Sequence, residues 1–235
     1  MNKIKHITAV LVYLCCLLAF NTSAEASRFF IVGVDESGSY DLRNLSMKLM
    51  EKLILKIMEP GDSLYGRRIT DKSYLDNADT QLLPQVLVIP ESAVSTKNFL
   101  DLRTKRQAKA EKAQQELVRL QAIKYIRDLK PVKSPKTDIH GFLAACGDLL
   151  ATMGQAQEKI IIVASDMVDN QHLKSEVDLH GARVIVVAFE KEADPNKTKK
   201  TRETWTQALM AMKAGDVRFL GPDQDISQVL SPVGS

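Results

Sequence analysis

Residues Phe29 to Val34 read Phe-Phe-Ile-Val-Gly-Val, six positions without a polar side chain, and run directly into Asp35-Glu-Ser-Gly-Ser39. An uninterrupted apolar run of that length suits a strand covered on both faces, as in the middle of a parallel sheet. Two further runs of this kind follow, Lys159 to Ser165 and Arg183 to Phe189. Between them lie helical patterns. Leu45, Leu49, Leu53 and Ile57 recur every four residues from Leu42 to Met58, a stripe along one helix face, and Pro60-Gly61-Asp62 ends it. Ser63–Ile69 and Gln85–Ile89 are expected as strands, with a polar loop over Thr70–Thr80. Thr137 opens a helix that runs to about Gly154. A short helix over Leu173–Leu179, a helix over Thr201–Ala214, a strand over Val217–Leu220 and a helical turn over Ile226–Leu230 complete the order. Strands alternating with helices predict an α/β fold: a doubly wound, mostly parallel central sheet flanked by helices.

The chain divides into an export signal, residues 1–26, and one domain, residues 27–235. Lys3 and Lys5 precede an apolar stretch from Ile7 to Phe20, and Ala24-Glu-Ala26 suits cleavage before Ser27. The apolar stretch is short for a membrane span, so a cleaved signal is the expectation and an uncleaved anchor the alternative. Either places the domain outside the cytoplasm, in a periplasm or the extracellular space. Removing Lys3, Lys5 and Glu25 from 32 basic and 29 acidic residues leaves 30 against 28. That balance gives no reason to expect nucleic acid as a partner. Cys146 is the one cysteine after residue 26, so no intrachain disulfide can form, and its apolar neighbours at helical spacing predict a buried, inert thiol.

Lys97 to Lys130 contains neither Gly nor Pro, and predicts one long helix, or two with a break, placed just before the Thr137 segment. Leu117, Leu120, Ile123, Ile126 and Leu129 are expected to dock on the domain, while Leu102–Glu116 projects into solvent. The span holds ten basic residues against Asp101, Glu111, Glu116 and Asp128. A solvated face is the plain reading of such a run; the sharper one is a docking arm for an anionic partner.

Three segments carry the chemistry: Asp35-Glu-Ser-Gly-Ser39 at a strand end, Thr137-Asp-Ile-His-Gly141 at a helix start, and Ser165-Asp166 at a second strand end. One carboxylate and two hydroxyls at alternate positions are oxygen donors of the sort a hard divalent cation prefers. The C-terminal edge of a parallel sheet is also where such folds bind ligands. In these residues the chain resembles the von Willebrand factor A (vWA) domain and its metal-ion-dependent adhesion site. Asp35, Ser37 and Ser39 match that family's D-x-S-x-S, Thr137 its loop threonine, and Asp166 its aspartate after a core strand. The resemblance implies that Ser37, Ser39 and Thr137 give hydroxyl oxygens directly to Mg²⁺ (or Mn²⁺ or Ca²⁺), while Asp35 and Asp166 reach it through water. It also implies a protein partner whose Asp or Glu completes the coordination, hence a binding module and not an enzyme.

Competing readings remain. Ser37, Ser39 and Thr137 could instead cap helices, with Asp166 opening a turn. Asp35-Glu-Ser-Gly also resembles the opening of RNase H-like nucleases, whose chemistry needs a cluster of direct carboxylates. A scaffold with a vestigial metal site, binding through its basic helix, is the third. Ser165 and Met167 stand where the family often has Thr and Gly, and Thr70 and Thr96 are weaker rivals of Thr137. Glu36 and Asp138, at variable motif positions, are expected in solvent. His140, His172 and His180 lack metal-ligand spacing and are expected in surface or packing roles, and Asp169 is expected to cap the helix after Asp166.

Overall fold

Every residue of β1, Arg28–Asp35, is buried, because the strand has a neighbour on each side and helices above and below. The structure, a computed structural model, describes residues 27–37, 43–75, 79–92, 102–152, 158–169, 176–187, 189 and 195–230. After β1 come α1 (Arg43–Lys52), β2 (Ser63–Ile69), β3 (Leu87–Val88), α2 (Leu102–Asp128) and α3 (Ile139–Thr152). Then follow β4 (Glu158–Ala164), β5 (Arg183–Val187), α4 (Pro195–Ala211), β6 (Asp216–Phe219) and α5 (Ser227–Leu230). Among the described residues the strands form one six-stranded sheet in the order β3-β2-β1-β4-β5-β6. All neighbours are parallel except β2 and β3. The class is therefore α/β with a mostly parallel sheet, compatible with a Rossmann-like arrangement.

The period of two along each strand distributes the core between two faces. Phe30, Val32 and Val34 join Ile160, Ile162, Met50, Leu53, Ile123 and Ile126 on one side. Phe29 and Ile31 join Ile161, Val163, Phe142, Leu143, Trp205 and Leu209 on the other. The single small residue in the β1 run is a slot for α3: a Cβ on Gly33 would lie 2.6 Å from Cζ of Phe142. Cys146 is buried in the same layer, and burial pushes its thiol well above the usual range, as expected for an inert core group.

Several elements differ from the sequence expectation. The first helix continues past Lys52 as wider π-type turns over Leu53–Ile57, where Met58 N donates to Leu53 O at 2.9 Å. Arg119 of α2 donates to Ile54 O and Met58 O there. The strand expected over Gln85–Ile89 shrinks to Leu87–Val88, since only those residues find partners, antiparallel, on β2. Leu117 and Leu120 do not dock: they are 55% and 52% exposed, while Ala122, Ile123 and Ile126 are buried, with Val118 and Leu129 against the same core. From Arg103 to Glu116 no residue of α2 is buried, as its composition predicts, although Gln115 donates to Pro90 O and Ser92 to Glu111 along this stretch. Glu176–Leu179 is not helical, and residues 173–175 of that expected helix lie outside the described residues. The same is true of the expected signal, residues 1–26. No helix among the described residues is long and apolar enough to cross a membrane.

Candidate functional site

The chain leaves β1 towards β2 on one side and β4 towards β5 on the other, so the strand order reverses between β1 and β4. In open α/β sheets the crevice at the C-terminal ends of two such strands is the preferred ligand position. Asp35 ends β1 and Ser165-Asp166 follows β4, so the topology brings two of the three sequence segments to that crevice. The Asp35 side chain is fully buried. Its Oδ1 accepts a hydrogen bond from Ser37 N at 2.8 Å, which holds residues 36 and 37 against the strand end. Its Oδ2 accepts from the Ser165 hydroxyl at 2.7 Å. The Ser165 hydroxyl also accepts from Met167 N at 3.0 Å. One serine hydroxyl thus ties Asp35, at the end of β1, to the backbone just after Asp166.

Burial is the largest influence on both carboxylates and pushes each above the usual range; the bonds from Ser37 and Ser165 only partly offset it at Asp35. The charge of Asp166 raises Asp35 further. Two carboxylates held this way in a poorly solvated crevice favour a compensating positive charge. The backbone after Asp166 is also unusual. Met167, where the vWA pattern often has Gly, has φ 64°, the left-handed region that L side chains rarely adopt. Trp205 Nε1 holds it there by donating to Met167 O at 2.8 Å.

The third segment arrives by a different route. Ser37 pairs in parallel with Ser134 in the connection between α2 and α3, and Ser134 N donates to Glu36 O at 3.1 Å. The Ser134 hydroxyl accepts from Asp71 N and donates to Lys136 O. Asp138 N donates to Thr70 O at 3.0 Å. These bonds fix residues 134–138 beside the ends of β1 and β2. The start of α3 is capped by Asp138, whose Oδ1 accepts from Gly141 N at 2.7 Å. Thr137 is therefore not the cap. It is fully buried, and its hydroxyl has no hydrogen-bond partner. The rival Thr70 is engaged, its hydroxyl accepting from Lys72 N. Thr96 and Ser39 lie outside the described residues.

Two sequence expectations are corrected here. Glu36 and Asp138 are buried, 4% and 6% exposed. Asp138 is buried because it caps a helix that packs on the sheet. Glu36 is buried because Arg43 Nε donates to it at 2.9 Å, Val132 N donates at 3.3 Å and Arg68 Nη1 lies 3.9 Å away. It clamps the start of α1 to the segment leading to Thr137. Asp169 also acts elsewhere than expected: it accepts from His140 N on α3 at 3.2 Å and contacts His140 Nδ1. His140 stacks at 5.0 Å on Trp205, a packing role; His172 lies outside the described residues, and His180 sits in an exposed turn.

Sequence reasoning missed Ser134 as a brace and Ser165 as the link from Asp35 to the backbone after β4. The Ser-Pro pair at Ser134 is a turn signal that points to such a position. Among the described residues there is no group of three or more His, Cys, Asp and Glu side chains placed to hold a metal ion. The donor set here is instead two carboxylates with hydroxyls, which suits a hard cation that keeps several waters.

No protein-family model and no curated protein matches the chain. Among solved structures it is similar to proximal thread matrix protein 1 from the mussel byssus, with 13% identity and a TM-score of 0.46, over 88% of this chain and 47% of that one. The chain thus spans less than half the length of the mussel protein.

Proposed function

We propose that this sheet edge is a metal-ion-dependent adhesion site on a doubly wound vWA-type domain, and that the protein captures a partner protein through it. Ser37, Ser39 and Thr137 would offer hydroxyl oxygens to Mg²⁺, Mn²⁺ or Ca²⁺, with Asp35 and Asp166 bonded through water. The observation that carries this reading is Thr137: a buried hydroxyl without a partner, beside a residue that already caps the helix. A buried polar group left unbonded is costly, by about 1–3 kcal/mol, and an oxygen-seeking ligand at this edge would remove that cost. When bound, the cation supplies an under-neutralised charge that attracts an external Asp or Glu carboxylate. The chain's own residues do the positioning. Asp35 holds Ser37, Ser165 ties Asp35 to the segment that carries Asp166, and Glu36 joins the serine and threonine segments. No catalytic residue is assigned. Residues 1–26 are proposed as the signal that exports this module to a periplasm or the cell exterior.

The test is capture of partners from an envelope extract in Mg²⁺ or EDTA by wild type, Asp35→Ala and Ser37→Ala, with circular dichroism to check folding. Wild type is expected to retain a partner only with Mg²⁺, and both folded variants to lose it. Capture that survives EDTA and both substitutions would overturn the reading. EDTA-sensitive cleavage of nucleic acid would replace it with the nuclease reading.

A further inference from the structure

We propose that the outer face of α2 is a second binding surface, a seam for an acidic amphipathic helix of a partner protein. The helix is 27 residues long, about 40 Å at the usual rise, and the fold buries only one side of it. Val118, Ala122, Ile126 and Leu129 rest on the core. On the opposite side Ala110, Ala113, Leu117 and Leu120 are all exposed. Their spacing of three, four and three residues is the a/d row of a heptad. Arg103 and Arg106 continue the row before them, Lys124 and Arg127 after them, and these four are exposed as well. Single exposed leucines need no explanation. Two adjacent turns of leucine preceded by two of alanine, in register on a solvent face, form a strip on which another helix can pack closely.

Charge selects the occupant. α2 holds eight Lys or Arg against three Asp or Glu. One of those acids, Glu111, is turned to the domain, where the Ser92 hydroxyl donates to it at 2.9 Å. Among the described residues Arg106, Lys109 and Lys124 have no carboxylate partner, whereas Arg127 is paired with Glu51 at 2.7 Å. A second copy of this chain would set two such basic helices face to face, which like-charge repulsion opposes. An anionic bilayer would accept the charge, but a helix lying in a membrane interface needs a broad apolar face to bury among the lipids. Here the apolar strip is one a/d row wide and half of it is alanine. A helix with Leu and Ala on its seam and Glu on its flanks satisfies both features.

The experiment titrates the protein, in EDTA, into a fluorescein-labelled helical peptide of about three heptads with Leu and Ala at a and d and Glu at the flanking positions. Saturable binding is expected, weakened about tenfold or more by Leu117→Glu with Leu120→Glu, and similarly by Arg106→Glu with Lys109→Glu. Binding should fall with added NaCl and be unchanged in Asp35→Ala, which separates this surface from the metal site. All four substituted side chains are exposed, so thermal unfolding should match wild type. Failure to bind the peptide, or equal binding of a version with Lys in place of Glu, would overturn the proposal. So would a concentration-dependent dimer abolished by Leu117→Glu, or uptake by phosphatidylglycerol vesicles without peptide binding.

Discussion

Asp62→Ala is expected to destabilise the fold by about 3–5 kcal/mol, the usual effect of removing one partner from a buried ion pair. Arg28 opens β1 and Asp62 immediately precedes β2, with side chains 11% and 3% exposed and Nη2 to Oδ2 at 2.6 Å. The carboxylate also accepts from Arg28 N at 2.8 Å and Glu59 N at 2.7 Å. Alanine would leave a buried guanidinium and two backbone N–H groups without that acceptor. Arg28 would keep Ile57 O at 2.7 Å and the mostly exposed Glu59 at 3.8 Å, neither of which neutralises a buried charge. In a domain of this size the loss corresponds to a melting point lower by roughly 6–20 °C. The double variant Arg28→Met with Asp62→Leu should recover only part of it: the desolvated charge is gone, but Arg28 N and Glu59 N still lack their acceptor. A fall of under about 1 kcal/mol in Asp62→Ala, the range of a surface pair, would show that the Arg28 charge finds water or another partner. Divalent-ion binding should be unaffected, since the pair lies at the other end of an eight-residue strand, roughly 25 Å away.

Asp35→Asn is expected to have two opposite effects. Divalent affinity should fall by about 10–100-fold or more, as when a group that orients metal ligands is lost. In EDTA near pH 7.5 the same variant should be more stable than wild type. Burial raises the folded-state pKa of Asp35 above its unfolded value, and Asp166 adds to the rise. The native state therefore holds its proton more tightly. The stability this contributes is complete below the unfolded carboxylate range, about pH 4, and is lost as pH rises through the folded-state value. Asparagine is not subject to that loss. Urea midpoints of the two proteins in EDTA should converge towards pH 4 and separate above it, with the variant higher. A variant less stable than wild type at every pH would mean that the bonds from Ser37 and Ser165 outweigh desolvation at Asp35.

The sheet was legible because burial on two faces is written into composition: Phe29–Val34, Ile160–Ala164 and Val184–Val187 have almost nothing else to say. The positions of Asp35, Ser37 and Asp166 at one sheet edge followed from the same runs, since each residue is among the first polar ones after its strand. Contacts among distant segments were not legible. Glu36 draws its partners from Arg43, Arg68 and Val132, and no local pattern announces that meeting. On α2, Leu117-Leu120 and Val118-Ala122-Ile126 are two apolar rows on one helix, and periodicity alone does not tell which of them turns inward. Thr137 and Asp138 are both good caps, so only coordinates separate the one that caps from the one left over. The edge strand β3 shortened because its length depends on what β2 offers it and not on Val86-Leu-Val-Ile89 itself.

Isothermal titration of Mn²⁺ into wild type and Thr137→Val tests the metal site at its buried, unpartnered hydroxyl. Valine keeps the shape and removes an oxygen that has no protein partner, so stability in EDTA should be unchanged or higher. The expected result is one saturable site in wild type, reversed by EDTA, and an affinity lower by about tenfold or more in Thr137→Val. Equal binding by the two proteins, or no binding by wild type at millimolar Mn²⁺, would contradict a metal site at this sheet edge.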